Sequence, residues 1–431
     1  MKYLPIDQSL FLYNRERFRK LLKPGSVAFI HSNDQMPYSS DQFFPYRQHP
    51  DFFYLTGIDQ EKSILMLFPD SPNPALREVL FLLETNDHIA VYEGHKYTKE
   101  EATATSGIET VHWLSSFGGM MKEAMAYAEN VYLSTLENPR YGGEMSYRNL
   151  RFVQDLQAHY PLHQYMRTTP LITSLRLTKS DLELELMKQA IDITASGMMR
   201  AMRYAAPGVP EYEIEAEITH EYLRKRATGH SFYPIVASGA AACVLHYIEN
   251  NRVCRDGDLL LIDTGAEYAN YAGDITRTFP VNGRFTPRQK DIYNACLRVM
   301  KEARAMLVTG THIDAYNKEV CKIMEKELIG LKLLKRSDIE HQDPANPAYK
   351  KYLPHGISHF MGLDVHDEGH RFETFRPGMV LSCEPGIYIR DEGIGVRIEN
   401  DILITSEGPV DLTAGVPVEV EEIEEFLASG Q

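Results

Sequence analysis

Five residues in the C-terminal half of the chain have the types and settings of metal ligands: Asp263, Asp274, His359, Glu384 and Glu399. Each lies in or beside a short run that reads as a strand or strand end, among them DLLLID, TRTFPV, MVLSCE and VRIENDILIT. A carboxylate at the end of a buried run is costly unless it is paired, coordinated or protonated. Four carboxylates and one imidazole suit hard or borderline divalent cations such as Mn²⁺, Fe²⁺ or Co²⁺ better than a thiolate-bound ion. Two such cations about 3.5–4 Å apart can share a water and make hydroxide available near neutral pH. Taken singly, each carboxylate is more simply a salt bridge or turn cap. Taken together, the five point to a metallohydrolase.

An internal similarity arranges four of them. Gly257–Gly265 reads GDLLLIDTG and Gly378–Gly386 reads GMVLSCEPG. In each, a glycine opens a strand, a carboxylate follows six positions on, and a second glycine comes two positions after that. A further strand then carries Asp274 in the first case and Glu399 in the second. The expectation is two related β-hairpins, each supplying two carboxylates, facing each other across a cleft. His355, His359 and His366 crowd the segment PHGISHFMGLDVHD. His355 and His359 have helical i,i+4 spacing, but Gly356 and Gly362 favour an irregular loop leading into a strand. Only one of the three need bind metal. The others are placed to polarise a substrate carbonyl or to line its pocket. His246, in VLHYIEN, is a weaker signal by itself.

The elements that must hold these residues fall into two parts. The chain has 431 residues, more than one core usually serves, so two domains are expected, 1–172 and 173–431. VAFIHS, SILMLF and EVLFLL read as buried strands of an N-terminal α/β domain, and RTTPLITSLRLT as the junction. Ser180 and Glu183 form a capping box that opens a long helix with Leu182, Leu186, Ala190 and Ile193 on one face. A helix near 211–226, the strand pairs above, and helices at 287–307 and 314–329 make the C-terminal part α+β. The tail VEVEEIEEFL is expected to be a solvated helix. A net charge of −15 argues against a nucleic-acid partner. No run reaches the about 18 apolar residues of a membrane span, and the N-terminus lacks a signal-peptide apolar region. Cys243, Cys254, Cys296, Cys321 and Cys383 are odd in number and contain no C-x-x-C pair, so free thiols in the cytoplasm are expected.

HGISHFMGLDVHD, LIDTGAEYANYAGDITRTFPV, EPGIYI and GVRIENDILIT resemble the signature segments of the pita-bread (creatinase/aminopeptidase-like) metallopeptidases, aminopeptidase P and prolidase in particular. The match departs at Met361, where a branched aliphatic is usual. YRQ at 46–48 and DFFYLTG at 51–57 are similar to the N-terminal domain of aminopeptidase P and many prolidases, which methionine aminopeptidases lack. The resemblance spans nearly the whole chain. It implies that Asp263 and Asp274 bind one metal, that His359 and Glu384 bind the other, and that Asp274 and Glu399 bridge. It further implies that Glu384 carries a proton, that His366 stabilises the oxyanion, and that His246 lies near the scissile bond. His355 would help form the proline-side pocket, and Arg397 would orient the bridging site or the substrate.

The implied activity is release of the N-terminal residue from peptides with proline second, by attack of a metal-bridged hydroxide. The implied cofactors are two divalent ions, Mn²⁺ foremost, with Co²⁺, Fe²⁺ or Zn²⁺ as alternatives. The implied partners are a peptide substrate and further copies of the chain, as a dimer or tetramer, without nucleic acid or membrane. Two other readings compete. A prolidase would cleave only Xaa-Pro dipeptides. A non-catalytic pita-bread binding module would have lost metal ligands, whereas here all five positions are filled.

Overall fold

The computed structural model describes residues 2–137 and 145–429. The chain divides into two compact units, one running from Tyr3 to Arg176 and the other from Leu177 onward.

The N-terminal unit is built on a sheet that has six strands among the described residues. Their spatial order is Val111–Trp113, Glu78–Leu82, Ile64–Leu67, Ser26–His31, Asn130–Leu133 and Gln164–Arg167. Ser26–His31 runs parallel to Asn130–Leu133 and antiparallel to Ile64–Leu67. Every residue of the strands Ser26–His31 and Ile64–Leu67 is buried, because helices cover both faces of the sheet. Val27, Phe29, Met66, Phe81 and Val131 form the core of one face under Ala124 and Leu156.

The C-terminal unit contains the two expected hairpins. Leu259–Thr264 pairs antiparallel with Ile275–Pro280, Asp263 opposite Thr276. Val380–Cys383 pairs antiparallel with Asn400–Thr405, Cys383 opposite Asn400. Each hairpin carries a smaller two-stranded ribbon between its strands, Ala266–Tyr268 with Tyr271–Ala272 in the first and Gly386–Ile389 with Ile394–Arg397 in the second. Gly257 and Gly378, which precede the two first strands, have φ of +85° and +88°. That left-handed turn is one a side chain resists, which explains why both repeats open on glycine.

The helix Asp181–Tyr204 lies against the first hairpin and its ribbon. Its buried stripe runs through Glu183, Met187, Ala190, Thr194, Met198 and Ala201. Leu182 and Leu186 are only half-buried. Ala190 and Ile193 are buried as expected, but the first turns present Glu183 and Met187 to the interior in place of Leu182 and Leu186, and an apolar count overlooks that Glu183 and Thr194 are buried in polar contacts. Thr194 Oγ1 accepts the Ala266 N–H at 2.9 Å. Gly265 allows the ribbon's close return, since a Cβ there would lie 1.9 Å from the Gly273 carbonyl oxygen. Pro287–Met306 packs on Ile313–Gly330 and on the second hairpin. The terminal helix Val420–Ser429 is not simply solvated, because it buries Val420, Ile423 and Leu427.

Candidate metal centre

The two hairpins exchange hydrogen bonds from matching main-chain N–H donors, one to a carboxylate and one to a carbonyl. Asp274 directly precedes the second strand of its hairpin, and Glu399 does the same in the other. The Asp274 N–H donates to Asp401 Oδ2 at 3.1 Å, two residues past Glu399. The Glu399 N–H donates to the Thr276 carbonyl at 3.1 Å, two residues past Asp274. The Thr276 hydroxyl also donates to Glu399 Oε2 at 2.6 Å. Pseudo-twofold pairing thus brings the middle carboxylates of both hairpins together.

His359 enters from the loop that precedes the second hairpin. Its N–H donates to Ser382 Oγ at 3.0 Å. Its Nδ1 lies 3.0 Å from the Phe360 carbonyl, an acceptor only, so Nδ1 carries the proton. Nε2 then faces the acids as a base. It is 3.5 Å from Asp274 Oδ2, 3.6 Å from Glu384 Oε1 and 4.0 Å from Glu399 Oε1. Asp274, His359 and Glu399 each offer a ligand atom, all within 4.8 Å of one another. Glu384 follows Val380–Cys383, and its N–H is tied to the Ile357 carbonyl at 2.9 Å. Asp263 stands in its own strand opposite Thr276, on the Asp274 hairpin.

The electrostatics of this cluster call for a cation. Burial pushes the Asp274 carboxyl well above the usual range, and the charges of Glu399 and Asp263 add to it. Burial does the same to Glu399, reinforced by Glu384 and Asp263. Asp263 Oδ1 and Asp274 Oδ1 are buried without a hydrogen-bond partner among the described residues. Orphaned buried oxygens beside an imidazole lone pair fit hard divalent cations with mixed O and N ligands.

A second chain of contacts runs behind the acids. Arg397 Nη2 donates to Asp263 Oδ2 at 2.6 Å, and Nη1 to the Tyr388 hydroxyl at 2.9 Å. Tyr388 is 2.8 Å from His355 Nε2, and His355 Nδ1 is 2.7 Å from the Gly356 carbonyl. The carbonyl fixes the proton on Nδ1, so Nε2 accepts from Tyr388, whose oxygen accepts from Arg397. Burial, the Arg397 charge and nearby His246 hold His355 down at about 4, so it is neutral at pH 7. His246 is exposed and close enough to act on His355. His366 is exposed, with its ring centroid 4.3 Å from that of His359 at 71°.

The sequence-predicted residues therefore occupy one neighbourhood, in two layers. Asp274, His359, Glu384 and Glu399 are mutually close, and Asp263 joins through its strand and through Arg397. His355 and His359 share no helix. Their segment is an irregular loop that meets the second hairpin through an isolated bridge, Phe360 to Leu381, and through main-chain bonds such as Ser382 N–H to the His359 carbonyl and Met361 N–H to the Val380 carbonyl. Sequence reasoning missed Tyr388, Thr276, Ser382 and Asp401. Tyr388 follows Gly386 at strand period, but nothing in that spacing says its hydroxyl would meet both Arg397 and His355.

Comparison with known proteins identifies the family. Residues 185–406 match the model of metallopeptidase family M24, and residues 11–132 match that of the aminopeptidase P N-terminal domain. The Xaa-Pro aminopeptidase of Escherichia coli is 36% identical, with 99% of each chain aligned. That of Haemophilus influenzae is 35% identical over 99% of this chain and 98% of its own. The solved structure of E. coli aminopeptidase P with the inhibitor Pro-Leu superposes with a TM-score of 0.88 at 34% identity, covering 99% of each chain. The chain belongs to the Xaa-Pro aminopeptidases of metallopeptidase family M24, metallo-exopeptidases that join an aminopeptidase P N-terminal domain to a pita-bread catalytic domain.

Proposed function

We propose that the chain removes the N-terminal residue from peptides with proline in the second position, using two divalent cations held by Asp263, Asp274, His359, Glu384 and Glu399. The observation that carries this reading is the convergence of His359 Nε2 with Asp274, Glu384 and Glu399 within 4.0 Å, beside orphaned oxygens on Asp263 and Asp274. Asp274 and Glu399 occupy the middle of the cluster and suit bridging positions. Mn²⁺ is the ion we assign, on the oxygen-rich ligand set. A bound cation pair supplies a polarised scissile carbonyl and hydroxide near neutral pH.

The chain's own residues do the rest. Glu384, bonded at its main chain and facing His359, is positioned to take a proton from water and pass it to the leaving proline nitrogen. His366 is the exposed donor beside the centre, suited to the developing oxyanion. His355, held neutral, and exposed His246 flank the proline side. Arg397 fixes Asp263 from behind. The tertiary amide of Xaa-Pro is poorly served by general peptidases, and a dedicated pocket of this kind answers that need. The Pro-Leu inhibitor of the E. coli relative is consistent with a site that accepts residues beyond proline.

The test is turnover of Xaa-Pro dipeptides against Xaa-Pro-Yaa tripeptides with Mn²⁺, Co²⁺ and Zn²⁺ supplied in turn. Tripeptide cleavage is expected, fastest with Mn²⁺. Turnover of dipeptides alone would make the protein a prolidase. We also place the protein in the cytoplasm, as a dimer or tetramer. The five buried, unbridged cysteines support the reducing compartment.

A further inference from the structure

The segment that opens the long helix, Lys179 to Glu183, touches three of the pieces that build the centre, and no role described so far uses it. The Lys179 N–H donates to the Gly378 carbonyl at 2.9 Å, at the turn that starts the Glu384 strand. Glu183, almost wholly buried, accepts from the Ser180 N–H at 2.9 Å and from the Tyr271 hydroxyl at 3.1 Å. Tyr271 belongs to the ribbon between Asp263 and Asp274. Lys179 Nζ donates to Asp367 Oδ2 at 3.2 Å, and both side chains are 1% exposed.

The last contact bears on His366, the residue before Asp367. The loop from His359 to Asp367 has little regular structure to stiffen it. It closes on itself through the Asp367 N–H, which donates to the Phe360 carbonyl at 2.9 Å. The Asp367 carboxylate is then pressed against the backbone of Gly362. A Cβ on Gly362 would lie 2.1 Å from Asp367 Oδ2 and 3.2 Å from Lys179 Cε. A carboxylate so deeply buried needs its cation in place. The ammonium thus sets where the loop's end sits, and the loop's end sets His366 edge-on to His359.

We propose that Lys179 is a positioning residue for the reaction: paired with Asp367 in the interior, it holds the loop that presents His366 to the scissile carbonyl. This rests on the reading of His366 given above. Neither Lys179 nor Asp367 touches the substrate or a metal ligand in this account, so their effect is on alignment. A small misplacement of a catalytic group costs about 10- to 100-fold in rate.

The experiment uses the full chain loaded with Mn²⁺ and compares the parent with Lys179→Met, Lys179→Arg and the uncharged pair Lys179→Met/Asp367→Asn. Tripeptide kcat and KM, bound metal and melting temperature are measured for each with Mn²⁺, and the His366 ring resonances on the same variants loaded with diamagnetic Zn²⁺, because paramagnetic Mn²⁺ would broaden them; the resonances are assigned with His366→Gln. The expected result for Lys179→Met is kcat down about 10- to 100-fold, KM within about threefold, metal content unchanged and the His366 resonances shifted. Lys179→Arg should recover part of the rate. The uncharged pair should regain melting temperature relative to Lys179→Met without regaining kcat, and it serves as the folded test should Lys179→Met not fold. Recovery of both rate and melting temperature by the uncharged pair, or kcat within twofold of the parent in a folded variant, would reduce the ion pair to scaffolding. The His366 resonances are read without substrate. Should the parent cleave no Xaa-Pro peptide, a shift there still supports the positioning claim, and unmoved resonances reject it independently of the proposed function.

Discussion

At the scale of single residues, the chain solves a charge problem twice. In front, Asp274 and Glu399 are pushed towards protonation by burial and by their neighbours, and the proposed cations would reverse that. Behind, Arg397, Tyr388 and His355 form a directed relay in which each donor meets an acceptor. Removing the Tyr388 hydroxyl breaks that relay in the middle. Tyr388→Phe should lower stability by about 1–3 kcal/mol, read from urea unfolding, and should leave His355 Nε2 without its donor while the Gly356 carbonyl still holds the proton on Nδ1. His355 also gives a pH prediction. Its folded pKa, about 4, lies below its ordinary value of 6.5, so the unfolded chain takes up a proton that the folded one refuses. The stability it contributes is complete above that ordinary value and is lost as pH falls from there through about 4. His355→Gln should therefore flatten the acid limb of the stability curve over that window, measured as the urea midpoint against pH. An unchanged limb would mean that other groups govern it.

At the scale of elements, the repeated hairpin is the unit that matters. Both copies begin with a glycine in the left-handed region, but their surroundings differ. A Cβ on Gly257 would meet nothing within 4 Å, whereas one on Gly378 would lie 2.8 Å from Thr178 Cγ2. Gly257→Ala should cost about 1–2 kcal/mol of backbone strain. Gly378→Ala should cost more, and equilibrium unfolding of the two variants gives the comparison. Much of this level was legible in the sequence. The repeat could be read because its carboxylates interrupt runs otherwise too apolar to be exposed, and because glycine and carboxylate recur at the same offset. The capping box at Ser180 and Glu183 could be read from spacing alone. What could not be read was anything requiring two distant segments to be in register. The reciprocal bonds of Asp274 with Asp401 and Glu399 with Thr276 are of this kind, as are Tyr388 and the Lys179–Asp367 pair. The face of the helix Asp181–Tyr204 was partly misjudged for a related reason, because its buried positions include Glu183 and Thr194, which a hydrophobic count discards.

At the scale of the whole molecule, metal and fold are linked. Without cations, the raised carboxyls favour the folded state only while protonated. The stability they contribute is present in acid and is lost as pH rises through their folded pKa values. Chelated protein should therefore melt at lower temperature as pH rises from the ordinary carboxylate range towards neutrality. Metal binding requires the same groups deprotonated, so loaded protein should move the opposite way. The gap in melting temperature between loaded and chelated forms should widen with pH. Mn²⁺ at one hundred times its dissociation constant adds about 2.7 kcal/mol per site.

The most direct test of the account is a count of bound metal in the parent and in Glu399→Gln, made by equilibrium dialysis against Mn²⁺ with the fold checked by circular dichroism. The account predicts about two ions per chain in the parent, as a shared two-metal site requires. It predicts that Glu399→Gln, folded but without its central carboxylate, loses both ions together with peptidase activity. A folded Glu399→Gln that still binds two ions and turns over at the parent's rate would contradict it. A parent that cleaves Xaa-Pro peptides with no ion bound would contradict it equally.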